Sequence, residues 1–136
     1  MASDLISKLF SHIQNALAAQ NTKITVQYSE EILAIVKALF KEGLIKSYLM
    51  INNPYKKIEI ELRYIGRWIK KPILNKIFRV SKPGRRVYIK SNAYRKLFLV
   101  SKIKNYLFFI STSSGIMSHL QASKCRKGGE IICCIY

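Results

Sequence analysis

The amino-acid sequence predicts an α+β protein: an N-terminal α-β-α-β-β domain over residues 1–66, then a mostly β C-terminal domain with one short helix over residues 67–136. Three observations support this prediction. Apolar residues recur at helical spacing in two early segments, and they alternate with polar residues in the segments between them. Beyond Gly66 they come in short bursts separated by basic pairs, which is typical of short strands and turns.

Two helices are predicted in the first domain. The first covers residues 4–20, with Ser3 or Asp4 as its cap, because its apolar side chains form one stripe. The members of the stripe are Leu5, Leu9, Ile13 and Leu17. The second helix begins after Ser29, a favoured N-cap residue, and ends at Gly43, since glycine is common just beyond a helix C-terminus.

Three strands complete the first domain. Residues 22–28 alternate between apolar and polar side chains, as a half-buried strand does. Residues 44–51 and 57–65 are predicted as two further strands joined by a turn at residues 52–54. The first domain is therefore predicted to be a small sheet with both helices on one face.

The second domain is predicted from shorter signals. Pro83 followed by Gly84 indicates a turn between two apolar bursts. The predicted elements are strands near 74–80, 86–90, 105–111 and 130–136, and one short helix near 118–124.

Charge is the strongest functional signal in the sequence. The chain has 24 Lys and Arg against 7 Asp and Glu, a formal net charge of +17. Residues 1–66 contain 8 basic and 6 acidic residues, whereas residues 67–136 contain 16 basic residues and one acidic residue. So unbalanced a surface favours a polyanionic partner, and nucleic acid is the commonest one. An anionic membrane surface is the alternative, but no basic amphipathic helix is predicted in residues 67–136 to dock on it.

Other classes of protein receive little support. No segment approaches the ~20 consecutive apolar residues that a membrane helix needs. The three cysteines, Cys125, Cys133 and Cys134, are odd in number and clustered, which favours small buried hydrophobes in a reducing compartment over a disulfide framework. With two histidines and no usual ligand spacing, no metal site is predicted.

A run of hydroxyl residues near the C-terminus is the main candidate site. Its members are Ser111, Thr112, Ser113 and Ser114, followed by Gly115. A catalytic serine could be assembled only with His119 and Glu130, and the first glycine of a G-x-S-x-G turn is missing. A P-loop is also absent. The run is therefore either a polar turn or a nucleic-acid contact, and the basic surroundings favour the contact.

Further candidates surround this run. Tyr88 faces away from its neighbours Val87 and Ile89, so it lies either on a binding face or on a second core face. Glu130, the lone acid of its domain, either fixes a turn and neighbouring cations or accepts from RNA. The residues expected to neutralise phosphates are Lys82, Arg85, Arg86, Lys90, Lys124, Arg126 and Lys127.

Three motifs make the sequence similar to a known family. Residues 79–88 have the sequence RVSKPGRRVY, residues 111–117 have STSSGIM, and residues 128–133 have GGEIIC. In this order and spacing they resemble the RVSKPGxRVY, STSKGVM and GGEIIC motifs of the bacterial-type small-subunit ribosomal protein eight family. The resemblance runs nearly end to end.

The resemblance implies a structural ribosomal protein rather than an enzyme, with no cofactor and no small-molecule substrate. Its partners would be small-subunit ribosomal RNA and neighbouring small-subunit proteins, and the C-terminal domain would bind an irregular helix of the central RNA domain. Ser111, Thr112 and Ser113 would enter the RNA groove, with Tyr88, Gly129 and Glu130 close by. The abundance of Ile, Lys, Asn, Phe and Tyr predicts an organellar ribosome, mitochondrial rather than plastid or bacterial.

The chain also departs from the family pattern. His12 and Gln14 stand where arginines are common, residues 118–123 differ from the usual TDREAR, and residues 102–106 replace a GLGI motif. The first departure argues against direct RNA contact by the first helix, and the second predicts a different neighbour for the short helix near 118–124. The third predicts an altered loop geometry.

Overall fold

A computed structural model describes residues 2–52, 55–82 and 84–136, with side chains from residue 5 onward. The predicted cap at Ser3 or Asp4 and the predicted turns at 52–54 and at Pro83 thus lie wholly or partly outside the described residues. The chain forms two compact units, Met1–Asn75 and Lys76–Tyr136.

The first unit is a three-stranded antiparallel sheet with two helices and a separate two-stranded ribbon. Its elements are α1 (Ala2–Ala18), β1 (Lys23–Gln27), α2 (Glu30–Lys41), β2 (Ile45–Ile51), β3 (Lys57–Leu62), β4 (Tyr64–Ile65) and β5 (Lys71–Pro72). The sheet order is β1-β3-β2, and β4 pairs with β5 alone. Helix α1 packs on β1, α2 packs on β2, and the helices contact each other, so both lie on one face of the sheet.

Local sequence determines this arrangement. The apolar positions of β1 and β3 are paired, with Ile24 opposite Ile60 and Val26 opposite Ile58, so one face of the sheet is buried. The hydroxyl of Ser29 accepts a hydrogen bond from the backbone N–H of Ile32 at 3.2 Å, which confirms the predicted N-cap of α2.

The second unit is built around one central strand. Its elements are β6 (Ile77–Arg79), β7 (Tyr88–Ile89), α3 (Arg95–Lys104), β8 (Leu107–Thr112), β9 (Gly115–Ser118), α4 (His119–Lys124) and β10 (Gly129–Ile135). The order is β6-β10-β8-β9, β7 also pairs with β10, and all pairs are antiparallel. The predicted α+β class and the short helix α4 are confirmed.

Two predictions for the second unit are wrong in detail. Helix α3 was not predicted, so the described part of this unit contains two helices rather than one short helix. No residue of α3 is buried, and Leu99 and Ile103 are exposed, which explains why no apolar stripe marked it. The segment predicted as a strand at 86–90 pairs only at Tyr88 and Ile89.

The core of the second unit lies between one sheet face and its helices. Its buried members include Tyr94, Phe108, Ile110, Ala122 and Ile131. The hydroxyl of Tyr94 donates a hydrogen bond to the carbonyl of Lys127 and so ties the start of α3 to the loop before β10.

The cysteines divide by environment. Cys133 and Cys134 are buried in β10, as predicted, and burial raises the pKa of the Cys134 thiol to about 11 and that of Cys133 further. Both thiols are therefore neutral near pH 7. Cys125 is exposed, so the prediction of a buried hydrophobe is wrong for it.

Candidate nucleic-acid interface

The candidate interface is organised around the first two residues of β10. Glu130 is directly opposite Tyr88 of β7 on one side and Ser111 of β8 on the other. Directly opposed residues of antiparallel strands project from the same face. Tyr88, Glu130 and Ser111 thus form one line across the sheet, here called the polar row.

The polar row faces away from the core of its unit. Val87 and Ile89 pack against the core cluster, so the alternation of side chains turns Tyr88 outward, where it is 70% exposed. Of the two placements that the sequence left open for Tyr88, the structure therefore shows the exposed face.

Two glycines allow the strands of the polar row to approach closely. A Cβ atom at Gly129 would lie 2.1 Å from the carbonyl oxygen of Ser111, and one at Gly128 would lie 2.5 Å from that of Ile89. Contacts this short do not occur, so neither position accepts a side chain unless the backbone moves. The glycine pair thus holds β7 and β8 on either side of β10.

Glu130 is engaged within the protein. Its Oε1 atom lies 2.9 Å from Nη1 of Arg86, which donates a hydrogen bond to it. Both side chains remain partly accessible to solvent. The one acid of this unit therefore neutralises a neighbouring cation. This is the first of the two roles that the sequence left open for Glu130.

The turn between β8 and β9, residues 112–115, is here called the hydroxyl turn. The hydroxyl of Thr112 donates to the carbonyl of Gly115 at 2.8 Å and accepts from the backbone N–H of Ser114 at 3.2 Å. Gly115 has φ = +110°, which favours glycine over any other residue. Thr112 thus stabilises the turn itself.

The other hydroxyls of the run differ in their partners. Ser114 accepts a hydrogen bond from Nζ of Lys127. Ser113 is exposed at the apex, and its hydroxyl has no hydrogen-bond partner among the described residues. Ser113 is therefore the member of the run whose hydroxyl is open to an external partner.

The loop before β10 places cations beside the hydroxyl turn. Lys124 lies in the last turn of α4, and Lys127 reaches from this loop to Ser114. Between them, Arg126 has φ = +54°, a left-handed conformation in which glycine is usual after a helix. An exposed arginine occupies this position, although glycine would adopt the same conformation with less steric strain.

The loop between β6 and β7 presents the remaining cations. Lys82 and Arg85 exchange backbone hydrogen bonds of 2.8 and 2.9 Å, so the chain reverses between them. Beneath this loop Ser81 is only 2% exposed, and its hydroxyl accepts from the N–H of Val87 at 2.9 Å and donates to its carbonyl at 3.3 Å. Sequence reasoning missed Ser81, although its place within the RVSKPG motif was a signal.

Replacing Ser81 by alanine should therefore destabilise the protein by ~1–3 kcal/mol, because the partly buried N–H of Val87 would lose its acceptor. Urea unfolding measures this loss, with the exposed Ser91 changed to alanine as the matched control. Equal stability of the two variants would contradict the role assigned to Ser81.

The histidine considered for a catalytic triad has a structural position. His119 is fully buried, and its Nδ1 accepts a hydrogen bond from the backbone N–H of Phe108 at 3.2 Å. Its ring packs against Phe98 and Phe108. Glu130, the acid of the same hypothetical triad, is paired with Arg86. These contacts leave neither group placed to activate a serine.

The structure thus gathers most of the predicted site at one end of β10: the polar row, the hydroxyl turn and two cationic loops. Lys90 directly follows β7 and is exposed. Among the described residues, no group of three potential metal ligands stands together.

Comparison with known proteins places this chain in a family. A family model described as Ribosomal protein S8 matches residues 4–136. The chain belongs to the ribosomal protein S8 family. The small ribosomal subunit protein uS8c of Phaeodactylum tricornutum is 36% identical over 137 residues and covers 100% of both chains. The uS8 protein of Ehrlichia ruminantium is 36% identical over 136 residues, covering 98% of both.

Membership of the S8 family confirms the resemblance seen in the three sequence motifs. A ribosomal protein is a structural component, so the chain is not an enzyme. The membrane-docking alternative finds no support from these matches, although α3 does supply a basic helix with exposed apolar residues that the sequence analysis did not predict. No helix in the described part of the chain is long and apolar enough to span a bilayer.

Proposed function

We propose that the chain binds small-subunit ribosomal RNA through its second unit, Lys76–Tyr136, and supports the assembly of the small ribosomal subunit beside neighbouring ribosomal proteins. One observation carries the assignment of the interface: the polar row and the hydroxyl turn lie together among cationic loops. The only acid there is already paired with Arg86. RNA therefore meets hydroxyl donors and cations with little repulsion.

The exposed cations and the small hydroxyls have different roles in RNA binding. Exposed cations, among them Lys82, Arg85 and Lys124, neutralise phosphates and position the protein without distinguishing one base from another. Small hydroxyls let the backbone approach a groove and exchange hydrogen bonds with 2′-OH groups or base edges. The exposed ring of Tyr88 adds a surface on which an unpaired base can stack.

The hydroxyl turn gives the most specific test. Ser113→Ala should weaken binding to a central-domain RNA helix by about tenfold, the equivalent of ~1.4 kcal/mol, while the free energy of unfolding stays unchanged. Thr112→Val should instead lower the stability of the protein, because the turn loses two internal hydrogen bonds.

Filter binding and urea unfolding of both variants separate these effects, and Ser101→Ala in α3 is the matched control. If Ser113→Ala binds RNA like the wild type, Ser113 is not a contact.

We further propose that the chain is part of an organellar ribosome, and specifically of a mitochondrial one. The richness in Ile, Lys, Asn, Phe and Tyr supports both parts of this proposal. The similarity to the plastid proteins of Phaeodactylum tricornutum and Trieres chinensis, at 36% and 35% identity, supports only the organellar part. Immunodetection in purified mitochondria, plastids and cytosol, followed by sucrose-gradient separation of subunits, tests it. Co-migration with small subunits of plastids or bacteria alone would contradict the mitochondrial assignment.

A further inference from the structure

A two-stranded ribbon in the first unit projects an aromatic side chain. Strands β4 and β5 pair Tyr64 with Pro72 and Ile65 with Lys71, and residues 66–70 form the loop between them. The hydroxyl of Tyr64 donates to the carbonyl of Asn21 at 2.6 Å, which fixes the base of the ribbon. The ribbon is therefore anchored at one end and open at the other.

The loop at the tip has a defined shape. Gly66 has φ = +120°, and a Cβ atom there would lie 2.0 Å from the carbonyl oxygen of Ile69. The chain folds tightly back on itself at this point and requires glycine. This turn presents Trp68 at 91% exposure and Ile69 at 75% exposure.

Cations flank the exposed ring. Arg67, Lys70 and Lys71 are all exposed, and none of the ion pairs among the described residues includes them. The sequence contains no acidic residue between Glu61 and Glu130. The ribbon tip thus combines one large π surface with three positive charges.

This combination suits an unpaired nucleotide. Exposed tryptophan stacks on bases regardless of their identity, and adjacent cations hold the flanking phosphates. Resting on the RNA-binding function proposed above, we propose that the ribbon tip is a second RNA contact, in which Trp68 stacks on an unpaired base of the small-subunit RNA. This contact is additional to the polar row and hydroxyl turn of the second unit.

Two other partners are less well matched. An acidic protein surface would satisfy the cations, but a protein hot spot is surrounded by contacts that exclude water, whereas the neighbours of Trp68 in the loop are mainly solvated cations. An anionic membrane also attracts tryptophan and cations. The ribosomal family of the chain favours RNA over both.

Trp68 is the only tryptophan of the chain, so its fluorescence reports on this site alone. We expect a transcript of the central domain of the small-subunit RNA to quench Trp68 emission and to protect it from acrylamide. In filter binding, Trp68→Ala should lose about tenfold in affinity for the transcript. Trp68→Phe should retain most of the affinity, and Trp68→Leu, which is apolar without an aromatic face, should behave like Trp68→Ala.

Tyr55→Ala is the matched control, since Tyr55 is another aromatic of the first unit and is 74% exposed; it should bind like the wild type. The ribbon contact would be overturned if the wild type bound the transcript with unchanged Trp68 emission and if Trp68→Ala bound it equally well. The proposed function would still stand in that case. Failure of the wild type to bind the transcript would overturn both. A blue shift with phosphatidylglycerol vesicles but no response to the transcript would assign the tip to a membrane instead.

Discussion

Replacing Gly129 by alanine is expected to destabilise the protein by roughly 3 kcal/mol, the upper end of the cost of overpacking. The new Cβ would lie 2.1 Å from the carbonyl oxygen of Ser111 and 3.2 Å from Cγ2 of Ile110. Backbone must therefore shift where β10 pairs with β8. Because the polar row crosses this point, RNA affinity should fall together with stability.

Urea unfolding and filter binding measure the two losses of the Gly129→Ala variant. Gly84→Ala is the matched control, since a Cβ there would meet no atom within 4 Å, and its unfolding free energy should change by at most ~0.5 kcal/mol. A Gly129→Ala variant as stable as the wild type would show that the two strands are not packed as described.

Neutralising three cations around the candidate interface should produce the largest loss of RNA affinity. In the triple variant Lys82→Gln, Arg85→Gln and Lys124→Gln, three exposed phosphate partners are removed. The slope of log K against log salt should become shallower by about three, and affinity at physiological salt should fall on the order of a hundredfold.

The matched control removes the same charge from the first unit. Lys8, Lys37 and Lys41 are exposed on α1 and α2. Changing these three to glutamine lowers the net charge equally and should change the slope by less than about one unit. Equal losses in the two triple variants would mean that RNA binding depends on total charge and not on the interface.

Sequence predicted the elements whose signals are local. Ser29 caps α2 through its own hydroxyl, and the alternation of buried and more exposed side chains within β1 and within β3 gives the buried face of the first sheet. Such patterns depend on residues close together along the chain. The order of strands in the second unit does not, because β10 pairs with three strands from different parts of the sequence.

Helix α3 shows why other elements could not be predicted. It has no acidic residue in its first turn, its N-cap Tyr94 makes no capping hydrogen bond through its side chain, and none of its residues is buried. These are the signals by which a helix is recognised. Its start is instead tied to the rest of the unit through Tyr94, whose hydroxyl donates to the carbonyl of Lys127, 33 residues away in sequence.

Within the site, sequence identified the residue types and the structure separated their roles. A run of hydroxyls does not reveal that Thr112 bonds within its turn, that Ser114 meets Lys127 and that Ser113 stays exposed. Nor does it reveal that Glu130 is opposite both Tyr88 and Ser111, because strand register is set by tertiary pairing.

We propose above all that the sheet face at the start of β10 binds RNA. The most direct test is a titration of the ¹⁵N-labelled protein with an isolated central-domain RNA helix, in which the changes in amide chemical shifts are measured. We expect the largest shifts in residues 86–90, 111–115 and 126–130, with small ones in α1 and α2. Shifts confined to the first unit, or none at saturating RNA, would contradict this account.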